Sequence, residues 1–389
     1  MSIIHTFWSS TGLVAMTMPR AIMLLLALAL GYLAIVKKYE PLLLLPLAFG
    51  IMMANIPIAG LDAYFIYEDG RRGLMNFLYQ GIIGIIYPPL IFLCIGTMTD
   101  FGPLISSPKS ALIGLGGQLG IFVAFGISIL ISNLFGPFIP GFDGFTLKEA
   151  ATIGIIGSSD GPTSIYAATH LAPDILPSVA IAAFSYMALV PFIQPPIMRL
   201  LTTDKERVVV MPEPKKVTQR QKILFPVVVA VLTLLLVPAS GALVAMLMLG
   251  NLIKESGVTK RYVRTLQNDV LNILTLLVGL SIGSSATADR FLTSTTLIII
   301  ACGLLAFVFG TVGGILIAKL LCAMTGGQVN PLIGNSGVSA MPMAARISQR
   351  LGQQYNSQNH LLMHAMGPIV SSTIGSAIIA GIFITLLGG

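Results

Sequence analysis

Apolar residues gather into ten runs along this chain, and short polar segments separate the runs. The longer ones approach the roughly 20 residues that a helix needs to cross the hydrocarbon core of a bilayer. This pattern predicts an all-α polytopic membrane protein with short connections between its helices. The runs fall near 20–36, 40–57, 79–98, 110–133, 175–201, 222–239, 241–253, 268–284, 294–322 and 360–387.

Two polar segments of similar, Gly- and Ser-rich character interrupt the apolar pattern. Residues 156–163 read IGSSDGPT, and residues 333–340, which begin 177 positions later, read IGNSGVSA. Glycine, serine and proline leave backbone groups free, and a bilayer tolerates this only where the segment is buried in protein or lines a cavity. We therefore predict two broken re-entrant segments, 149–172 and 328–350. For the glycines alone, close packing between helices is the alternative interpretation.

The most hydrophilic stretch, residues 202–221, divides the chain into two halves. It is rich in lysine and arginine, so the positive-inside rule places it in the cytoplasm. Counting outwards from this linker gives five spans in residues 1–201 and five in residues 222–389, with opposite polarity. Inverted repeats with interrupted segments at matching places are typical of transporters that bind their substrate near the bilayer midplane. The sequence thus predicts two inverted five-span repeats whose broken segments meet at their tips.

The composition supports a membrane protein and excludes several other classes. Hydrophobic residues make up 55% of the 389, charged residues make up 10%, and the mean hydropathy is +0.90. A soluble domain carries about 25% charged residues. The net charge of +7 is scattered over helix ends, so it does not indicate a nucleic-acid partner. The three cysteines lie in apolar runs without a CxxC pattern, which argues against a thiolate metal centre or a disulfide framework.

Asp160 is the sharpest chemical signal in the sequence. An ionised carboxylate within a membrane is costly and normally serves as an ion or proton site. Hydroxyls stand beside it at Ser158, Ser159, Thr163 and Ser164. Oxygen ligands around a single carboxylate suit a hard monovalent cation such as Na⁺, or a proton, and do not suit a soft metal. The alternative, compatible with ion binding, is that Asp160 caps a half-helix.

Four other polar residues accompany the two segments. Arg346 has the right chemistry to hold a carboxylate bidentately, or else it anchors the cytoplasmic face. Asn330 and Ser339 flank the second segment and could act as ligands or as helix caps. Tyr186, on the helix after the first segment, is either a core aromatic residue or a proton donor in a polar cavity.

Several long and unusual stretches, spread over nearly the whole chain, carry a resemblance to a known family: KKYEPLLLLP at 37–46, MTDFGPL at 98–104, DGPT at 160–163, YMALVP at 186–191, QPPI at 194–197, NPLIG at 330–334 and LLMHAMGP at 361–368. In these stretches the chain resembles the β subunit of the biotin-dependent, sodium-translocating decarboxylases. Members of that family act on oxaloacetate, methylmalonyl-CoA, glutaconyl-CoA or malonate.

The resemblance implies a specific function. Such a subunit receives carboxybiotin from a partner subunit, releases CO₂ and free biotin with consumption of a proton, and uses the energy to export Na⁺. It is a multi-pass protein of the bacterial cytoplasmic (inner) membrane. Its implied partners are the carboxyltransferase and biotin-carrier subunits and a small γ-type membrane subunit. Its implied architecture is an elevator-type transporter with a scaffold and a mobile core, assembled as a homotrimer.

The family's functional residues match six positions of this sequence: Asp160, Tyr186, Asn330, Gly334, Ser339 and Arg346. The resemblance implies that Asp160, Tyr186 and Arg346 are catalytic. It also implies that Arg346 binds carboxybiotin together with Asn330 and Ser339. The expected ligands of Na⁺ are Asp160, Ser158, Ser159, Asn330, Gly334 and Ser339.

The chain departs from the family pattern at a few places. Many relatives read GGADGP where this chain reads GSSDGP at residues 157–162, and many have asparagine in place of Ile369. Two more hydroxyls and one lost amide alter the ligand set that the resemblance implies. The loop around residues 62–73 is also shorter than in the oxaloacetate enzymes.

Two classes of function fit these observations. The first is a primary pump driven by decarboxylation, and the second is a secondary Na⁺-coupled transporter of a small organic anion. The chain has no AMKM biotinylation sequence, since Ala365 and Met366 are followed by Gly367, and it has no carboxyltransferase domain. A pump must therefore obtain both from partner subunits, whereas a lone transporter needs neither.

Overall fold

The computed structural model describes residues 7–8, 11–38, 40–213 and 216–388. Residues 214 and 215 of the predicted linker lie outside the described residues. Within the described ranges the chain is built of helices, and β structure is limited to an isolated antiparallel bridge between Ile66 and Arg72. The all-α architecture predicted from the sequence is therefore confirmed.

Between Met18 and the linker, the described residues of the first half form ten α-helices. They are α1 Met18–Ile35, α2 Pro41–Ala54, α3 Leu74–Ile83, α4 Tyr87–Met98, α5 Gly102–Ser106, α6 Ala111–Gly117, α7 Leu119–Phe135, α8 Leu147–Ile155, α9 Gly161–Leu171 and α10 Leu176–Leu201. Short 3₁₀ turns join some of them at Pro108–Ser110, Gly136–Phe138, Ile156–Ser158 and Pro173–Ile175.

In the linker and the second half, the residues that the structure describes form nine more α-helices. They are α11 Asp204–Arg207, α12 Gln219–Leu236, α13 Gly241–Glu255, α14 Lys260–Thr265, α15 Leu271–Ser285, α16 Ala288–Phe291, α17 Ser294–Met324, α18 Met343–Tyr355 and α19 Leu362–Leu387. A π turn at Leu266–Val270 and 3₁₀ turns at Pro238–Ser240 and Pro331–Gly337 complete the set.

Six helical stretches of the described chain are long and apolar enough to cross a membrane: Met18–Ile35, Pro108–Phe138, Gln219–Leu236, Lys260–Ser285, Ser294–Met324 and Leu362–Leu387. The number rises to eight if two bent helices each count as one span, namely α3 with α4, which meet at 66°, and α10. With 14 and 15 residues, α2 and α13 are short for a crossing. A polytopic membrane protein is thus confirmed, while the two inverted five-span repeats stay a prediction.

Glycines allow the helices to approach one another closely. A Cβ on Gly50 of α2 would lie 2.9 Å from the Cα of Gly283 on α15, and Gly96 of α4 meets Gly250 of α13 in the same way. Small residues at crossings are how membrane helices gain packing contacts, because lipid supplies no hydrophobic drive for helix association. The same device recurs where α6, α7 and α17 surround the two segments singled out from the sequence.

Candidate functional site

The first broken segment changes direction at Ser159. Helix α8 begins with a capping box between Thr146 and Glu149 and gives way to the 3₁₀ turn at Ile156–Ser158. Ser159 then adopts the left-handed conformation with φ of 57°, and Asp160 is extended, with φ of −115°. Non-glycine residues in the left-handed region are uncommon and store strain that the surrounding structure must hold. The chain restarts as α9 at Gly161, so Ser159 and Asp160 form the non-helical break between the 3₁₀ turn and that helix.

Asp160 lies at the start of α9 and is only 5% exposed. Its Oδ1 accepts a hydrogen bond from the backbone N–H of Thr163 at 3.3 Å, and its Oδ2 accepts one from the hydroxyl of Ser376 at 3.2 Å. The first bond is a helix cap, so the capping role considered for Asp160 is present. Among the described residues no basic side chain forms an ion pair with it. A buried carboxylate without a cationic partner is the arrangement expected of a site that receives a cation or a proton.

Two hydroxyls beside Asp160 are buried without a well-formed hydrogen bond, and that of Thr163 lies close enough to the carboxylate to interact with it. They are Ser159 Oγ and Thr163 Oγ1. The hydroxyl of Ser158, by contrast, donates to the carbonyl of Ile155 at 2.8 Å. Because a buried hydroxyl without a partner costs about 1–3 kcal/mol, such atoms call for an explanation. Oxygen atoms that coordinate a hard cation would meet this need.

The second broken segment reaches the first through a backbone hydrogen bond. It consists of the 3₁₀ turn at Pro331–Gly337 and an extended stretch that leads into α18. The N–H of Ser339 donates to the carbonyl oxygen of Ser158 at 2.8 Å. The hydroxyl of Ser339 also donates to that of Ser372 on α19 at 3.2 Å. The structure therefore brings Ser339 and the Asp160 segment together, as predicted from the doubled motif.

Gly157 and Gly334 are in close contact with the helices around them. A Cβ on Gly157 would lie 2.6 Å from the carbonyl carbon of Gly120 on α7. One on Gly334 would lie 2.7 Å from the carbonyl oxygen of Gly314 on α17. Neither approach leaves room for a side chain, so the packing interpretation of these glycines is correct. The role of Gly334 as a Na⁺ ligand stays a prediction.

Asn330 is fully buried, and its polar atoms are engaged away from Asp160. Its amide donates to the carbonyls of Arg207 at 3.1 Å and Val209 at 2.8 Å, both in the linker. Its Oδ1 accepts from the N–H of Leu332 at 2.9 Å, which caps the second broken segment. The capping alternative for Asn330 is thus present in the structure, and its role as a ligand stays a prediction.

Arg346 lies on the first turns of α18 and is exposed. The structure records no contact that joins it to Asp160. The charge of Arg346 acts on Glu40, which precedes α2: burial raises the pKa of the Glu40 carboxyl, and Arg346 opposes this shift. An exposed guanidinium beside a half-buried carboxyl is available to an anion that arrives from solvent.

Tyr186 on α10 is buried, and its hydroxyl donates to the carbonyl of Ile300 on α17. Its ring packs where Gly303 leaves space, and Ile156 of the first broken segment reaches the same glycine. The residue is therefore a satisfied core tyrosine close to the first segment. Its proton-transfer role stays a prediction.

The structure adds polar residues that the sequence analysis did not single out. Ser372 and Ser376 stand one turn apart on α19 and face Ser339 and Asp160, respectively. Gln118, at the break between α6 and α7, donates to the hydroxyl of Ser372 at 2.9 Å, while its Oε1 is buried without a partner. The spacing of four between serines in the last apolar run was the one available signal, because it places both hydroxyls on one helix face.

A second buried network joins α10 to the second broken segment. The Asn335 amide donates to Gln194 Oε1 at 2.8 Å, and Gln194 donates back to the Asn335 carbonyl at 3.0 Å. Both side chains are fully buried. Asn335 also donates to the carbonyl of Ala344 at 2.9 Å. These bonds hold the segment against the helix that carries Tyr186.

The donor set around Asp160 selects the kind of ion that could bind. Over the described residues, no group of three or more His, Cys, Asp or Glu could hold a metal ion. Asp160 stands with serine and threonine oxygens instead, which suits a hard cation and not a transition metal.

Comparison with known proteins gives a consistent result over nearly the full chain. Residues 19–387 match the family described as the Na⁺-transporting oxaloacetate decarboxylase beta subunit. The chain is 47% identical to the methylmalonyl-CoA decarboxylase subunit beta of Propionigenium modestum, with 98% of each chain covered. It is also 47% identical to the glutaconyl-CoA decarboxylase subunit beta of Acidaminococcus fermentans, with 97% of this chain and 96% of the relative covered. Identity to the oxaloacetate decarboxylase beta chain of Klebsiella pneumoniae is 44%, with 96% of each covered.

These relatives are named for different decarboxylase substrates. Each is nevertheless a decarboxylase β subunit, and each aligns with this chain over nearly its full length. The described helices supply six to eight apolar spans, in agreement with a membrane component. The chain belongs to the family of β subunits of the Na⁺-transporting decarboxylases and is a multi-pass membrane subunit of the bacterial inner membrane.

Proposed function

We propose that this subunit decarboxylates carboxybiotin delivered by a partner and couples the reaction to Na⁺ export. The observation that carries the proposal is the buried Asp160 carboxylate, with two hydroxyls that lack a well-formed hydrogen bond, at the point where the two broken segments share a hydrogen bond. Family membership favours this pump over a secondary Na⁺-coupled transporter, because the relatives are subunits of decarboxylases.

In this proposal Na⁺ binds to Asp160 and to neutral oxygens around it. Ser159 and Thr163 offer hydroxyls without a well-formed hydrogen bond, and Ser376 already contacts the carboxylate. The remaining predicted ligands are Ser158, Asn330, Gly334 and Ser339. Of these, Ser158 and Ser339 have the stronger support, because the hydrogen bond between them places both backbones at the meeting point. An ionised carboxylate would supply the charge that balances the cation.

Decarboxylation of carboxybiotin requires a proton on the ring nitrogen of biotin. When the bond between the ring nitrogen and the carboxylate of carboxybiotin breaks, CO₂ leaves and the nitrogen takes up a proton. Arg346, exposed on α18, would hold the carboxylate before the bond breaks. Asp160 and Tyr186 are the proposed proton carriers. A proton that reaches Asp160 neutralises the carboxylate, which weakens its hold on Na⁺ and releases the ion.

The proposal includes partners that this chain does not contain. A carboxyltransferase and a biotin carrier must load the carboxyl group, because no biotinylation sequence is present. We also propose a γ-type membrane subunit, a homotrimer of this chain, and elevator-type motion of a core that contains both broken segments. The backbone hydrogen bond between the two segments supports their movement as one body.

The test uses the purified complex in proteoliposomes. We would measure ²²Na⁺ uptake and CO₂ release on addition of free carboxybiotin for the wild type, Asp160→Asn and Asp174→Asn. Asp174 is exposed in the turn after α9, so its variant makes the same change of charge outside the site. We expect wild type and Asp174→Asn to couple uptake to decarboxylation, and avidin to block both. Asp160→Asn should abolish uptake.

Two results would contradict the proposal. One is full Na⁺ uptake and full decarboxylation by Asp160→Asn. The other is Na⁺ movement in the wild type only down its gradient, without CO₂ release, which would make the chain a secondary transporter.

A further inference from the structure

Arg207 occupies an unexpected position in the linker. By sequence it is one of several linker cations that the positive-inside rule places in water. In the structure it ends the short helix α11 and is only 8% exposed, whereas its neighbour Lys205 is exposed. A buried charge is retained only where hydrogen bonds and partners compensate for lost hydration. The contacts of Arg207 therefore show which elements the linker joins.

The guanidinium of Arg207 joins the end of α10 to α18. It donates to the hydroxyl of Thr202 at 2.9 Å and to the carbonyls of Thr202 and Arg199, which are among the last carbonyls of α10 and its C-cap. It also donates to Tyr355 Oη at 3.0 Å and to Asp204 at 2.7 Å. The Tyr355 ring lies under the guanidinium, 4.9 Å from ring centroid to Cζ. The rigid fork of arginine satisfies all these acceptors at once, which lysine cannot do.

The backbone carbonyl of Arg207 faces the other way and receives two asparagine amides. Asn330 donates to it at 3.1 Å and Asn359 at 2.9 Å. Asn330 continues to the carbonyl of Val209 at 2.8 Å, and Asn356 donates to Val208 at 3.3 Å. Three asparagines from the second half thus hold three consecutive residues of the linker.

Asn330 also caps the second broken segment through the N–H of Leu332. A continuous series of hydrogen bonds therefore runs from α10 through Arg207 and Asn330 into the segment that carries Ser339. Deeper in the molecule α10 is tied to the same segment a second time, by the bonds between Gln194 and Asn335. Two attachments at different depths fix the orientation of the segment relative to α10, whereas one would allow it to pivot.

We propose that Arg207 is a positioning residue for carboxybiotin decarboxylation, acting through Asn330 to fix the second broken segment against α10. This inference rests on the proposed function. Arg207 contacts neither Na⁺ nor carboxybiotin in this account; it sets the relative placement of Ser339 and Arg346 on one side and Tyr186 on the other. Misplacing reacting groups by about 1 Å can cost a hundredfold in rate. The linker between the two halves is thus part of the catalytic framework.

The test compares Arg207→Gln with Lys205→Gln in the intact complex, reconstituted in proteoliposomes. Both variants remove one positive charge from α11. We expect Arg207→Gln to lower kcat for Na⁺-dependent decarboxylation of free carboxybiotin by about tenfold or more. The Na⁺ concentration for half-maximal rate should change by about threefold at most, well below the fall in kcat. The reason is that Asp160 and the hydroxyls beside it lie on other elements, so the variant shifts only the proposed ligands of the second broken segment. Arg207→Lys should recover little of the rate, and Lys205→Gln should match the wild type.

A second pair of variants keeps the inference testable if Arg207→Gln does not assemble. Asn359→Ala removes one donor from the Arg207 carbonyl, and Tyr355→Phe removes one acceptor from its guanidinium. Both should lower kcat by a few-fold per assembled complex at unchanged Na⁺ dependence. A merely structural role would reduce the amount of complex and leave these constants unchanged.

Three outcomes would overturn the inference. They are a wild-type kcat in Arg207→Gln, a wild-type kcat in both milder variants, and a shift in Na⁺ dependence like that of an Asp160 variant. An inactive wild-type complex would instead contradict the proposed function, so the two failures are distinguishable.

Discussion

The backbone N–H of Ser339 donates a hydrogen bond to the carbonyl oxygen of Ser158 at 2.8 Å, although 181 positions separate the two residues. The bond joins the two Gly- and Ser-rich segments that the sequence analysis aligned at an offset of 177 positions. At that offset the counterpart of Asp160 is Gly337, so only the first of the two segments supplies an acid. The meeting point is therefore asymmetric, which suits a single cation held mainly from one side.

Removal of the two hydroxyls beside Asp160 that lack a well-formed hydrogen bond should weaken Na⁺ binding. We expect Ser159→Ala and Thr163→Val each to raise the Na⁺ concentration for half-maximal decarboxylation by about tenfold, or about 1.4 kcal/mol of binding energy. Thr169→Val is the matched control, because the Thr169 hydroxyl on the same helix donates to Ile165 at 2.9 Å. The measurement is the Na⁺ dependence of CO₂ release by the complex. If these hydroxyls bind no ion, their removal should stabilise the protein and leave the Na⁺ dependence unchanged.

Side chains at the glycine contacts should destabilise the protein. We expect Gly157→Ala and Gly334→Ala each to cost about 1–3 kcal/mol, because the new Cβ would overlap backbone atoms of Gly120 or Gly314. Gly126→Ala on α7 is the control: nothing lies within 4 Å of its Cβ position, and alanine favours a helix. Thermal unfolding of the purified subunit in detergent measures the difference. Equal midpoints for all three variants would argue against close packing at these sites.

Loss of the amide pair between α10 and the second segment should be costly. Gln194→Leu leaves the Asn335 amide and carbonyl each short of a partner in a fully buried place, so we expect a loss of about 2–3 kcal/mol. Gln354→Leu is the control, since Gln354 is exposed and its side-chain oxygen accepts a hydrogen bond from the exposed side of Arg199 at 3.1 Å. Thermal unfolding again supplies the measurement. A double change of Gln194 and Asn335 to Leu that costs less than the two single changes added together would establish their coupling.

The pairing of Asp100 with Lys222 should make stability depend on pH at acidic values. Burial alone would raise the pKa of the Asp100 carboxyl, but hydrogen bonds from Gly102 N–H and Lys222, with the nearby charges of Lys222 and Lys254, hold it below its ordinary value. A lowered folded-state pKa adds stability above the unfolded value of about 3.9, and this is lost as the pH falls through the folded value.

Asp100→Asn tests this expectation. We expect a loss of about 1 kcal/mol at neutral pH, because both side chains are partly exposed, and a flatter stability profile below about pH 4. Asp69→Asn breaks the more exposed pair with Arg71 and should change neither property. Unfolding midpoints measured across the acidic range supply the comparison. Identical profiles for the two variants would contradict the assigned role of Asp100.

Part of the site could be predicted because its signal is local. Asp160 within a Gly-, Ser- and Pro-rich stretch between apolar runs indicates a buried acid at a helix break, and the repeat indicates a partner segment. Ser376 and Gln118 could not be predicted in the same way. Nothing in an apolar run shows which serine or glutamine faces a residue more than 200 positions away, since that depends on how whole helices pack.

Asn330 is a residue that the sequence does single out but whose contacts it does not predict. Its type and position suit a ligand, and the resemblance implies one, yet the structure commits its amide to the linker carbonyls of Arg207 and Val209. Arg207 likewise looks like an ordinary cytoplasmic cation by sequence. Which backbone carbonyl a buried amide meets is decided by chain segments that are distant in sequence.

The class of the molecule and its family could be predicted from the sequence, because composition, hydropathy and long unusual motifs are properties of the chain. Three relationships emerge only in the packed structure: Ser339 meets Ser158, Ser376 contacts Asp160, and Arg207 is buried against the ring of Tyr355. The physical reason is that membrane helices associate through close packing and specific hydrogen bonds between distant segments. Hydropathy records that a residue is buried, and only the packed structure identifies its neighbour.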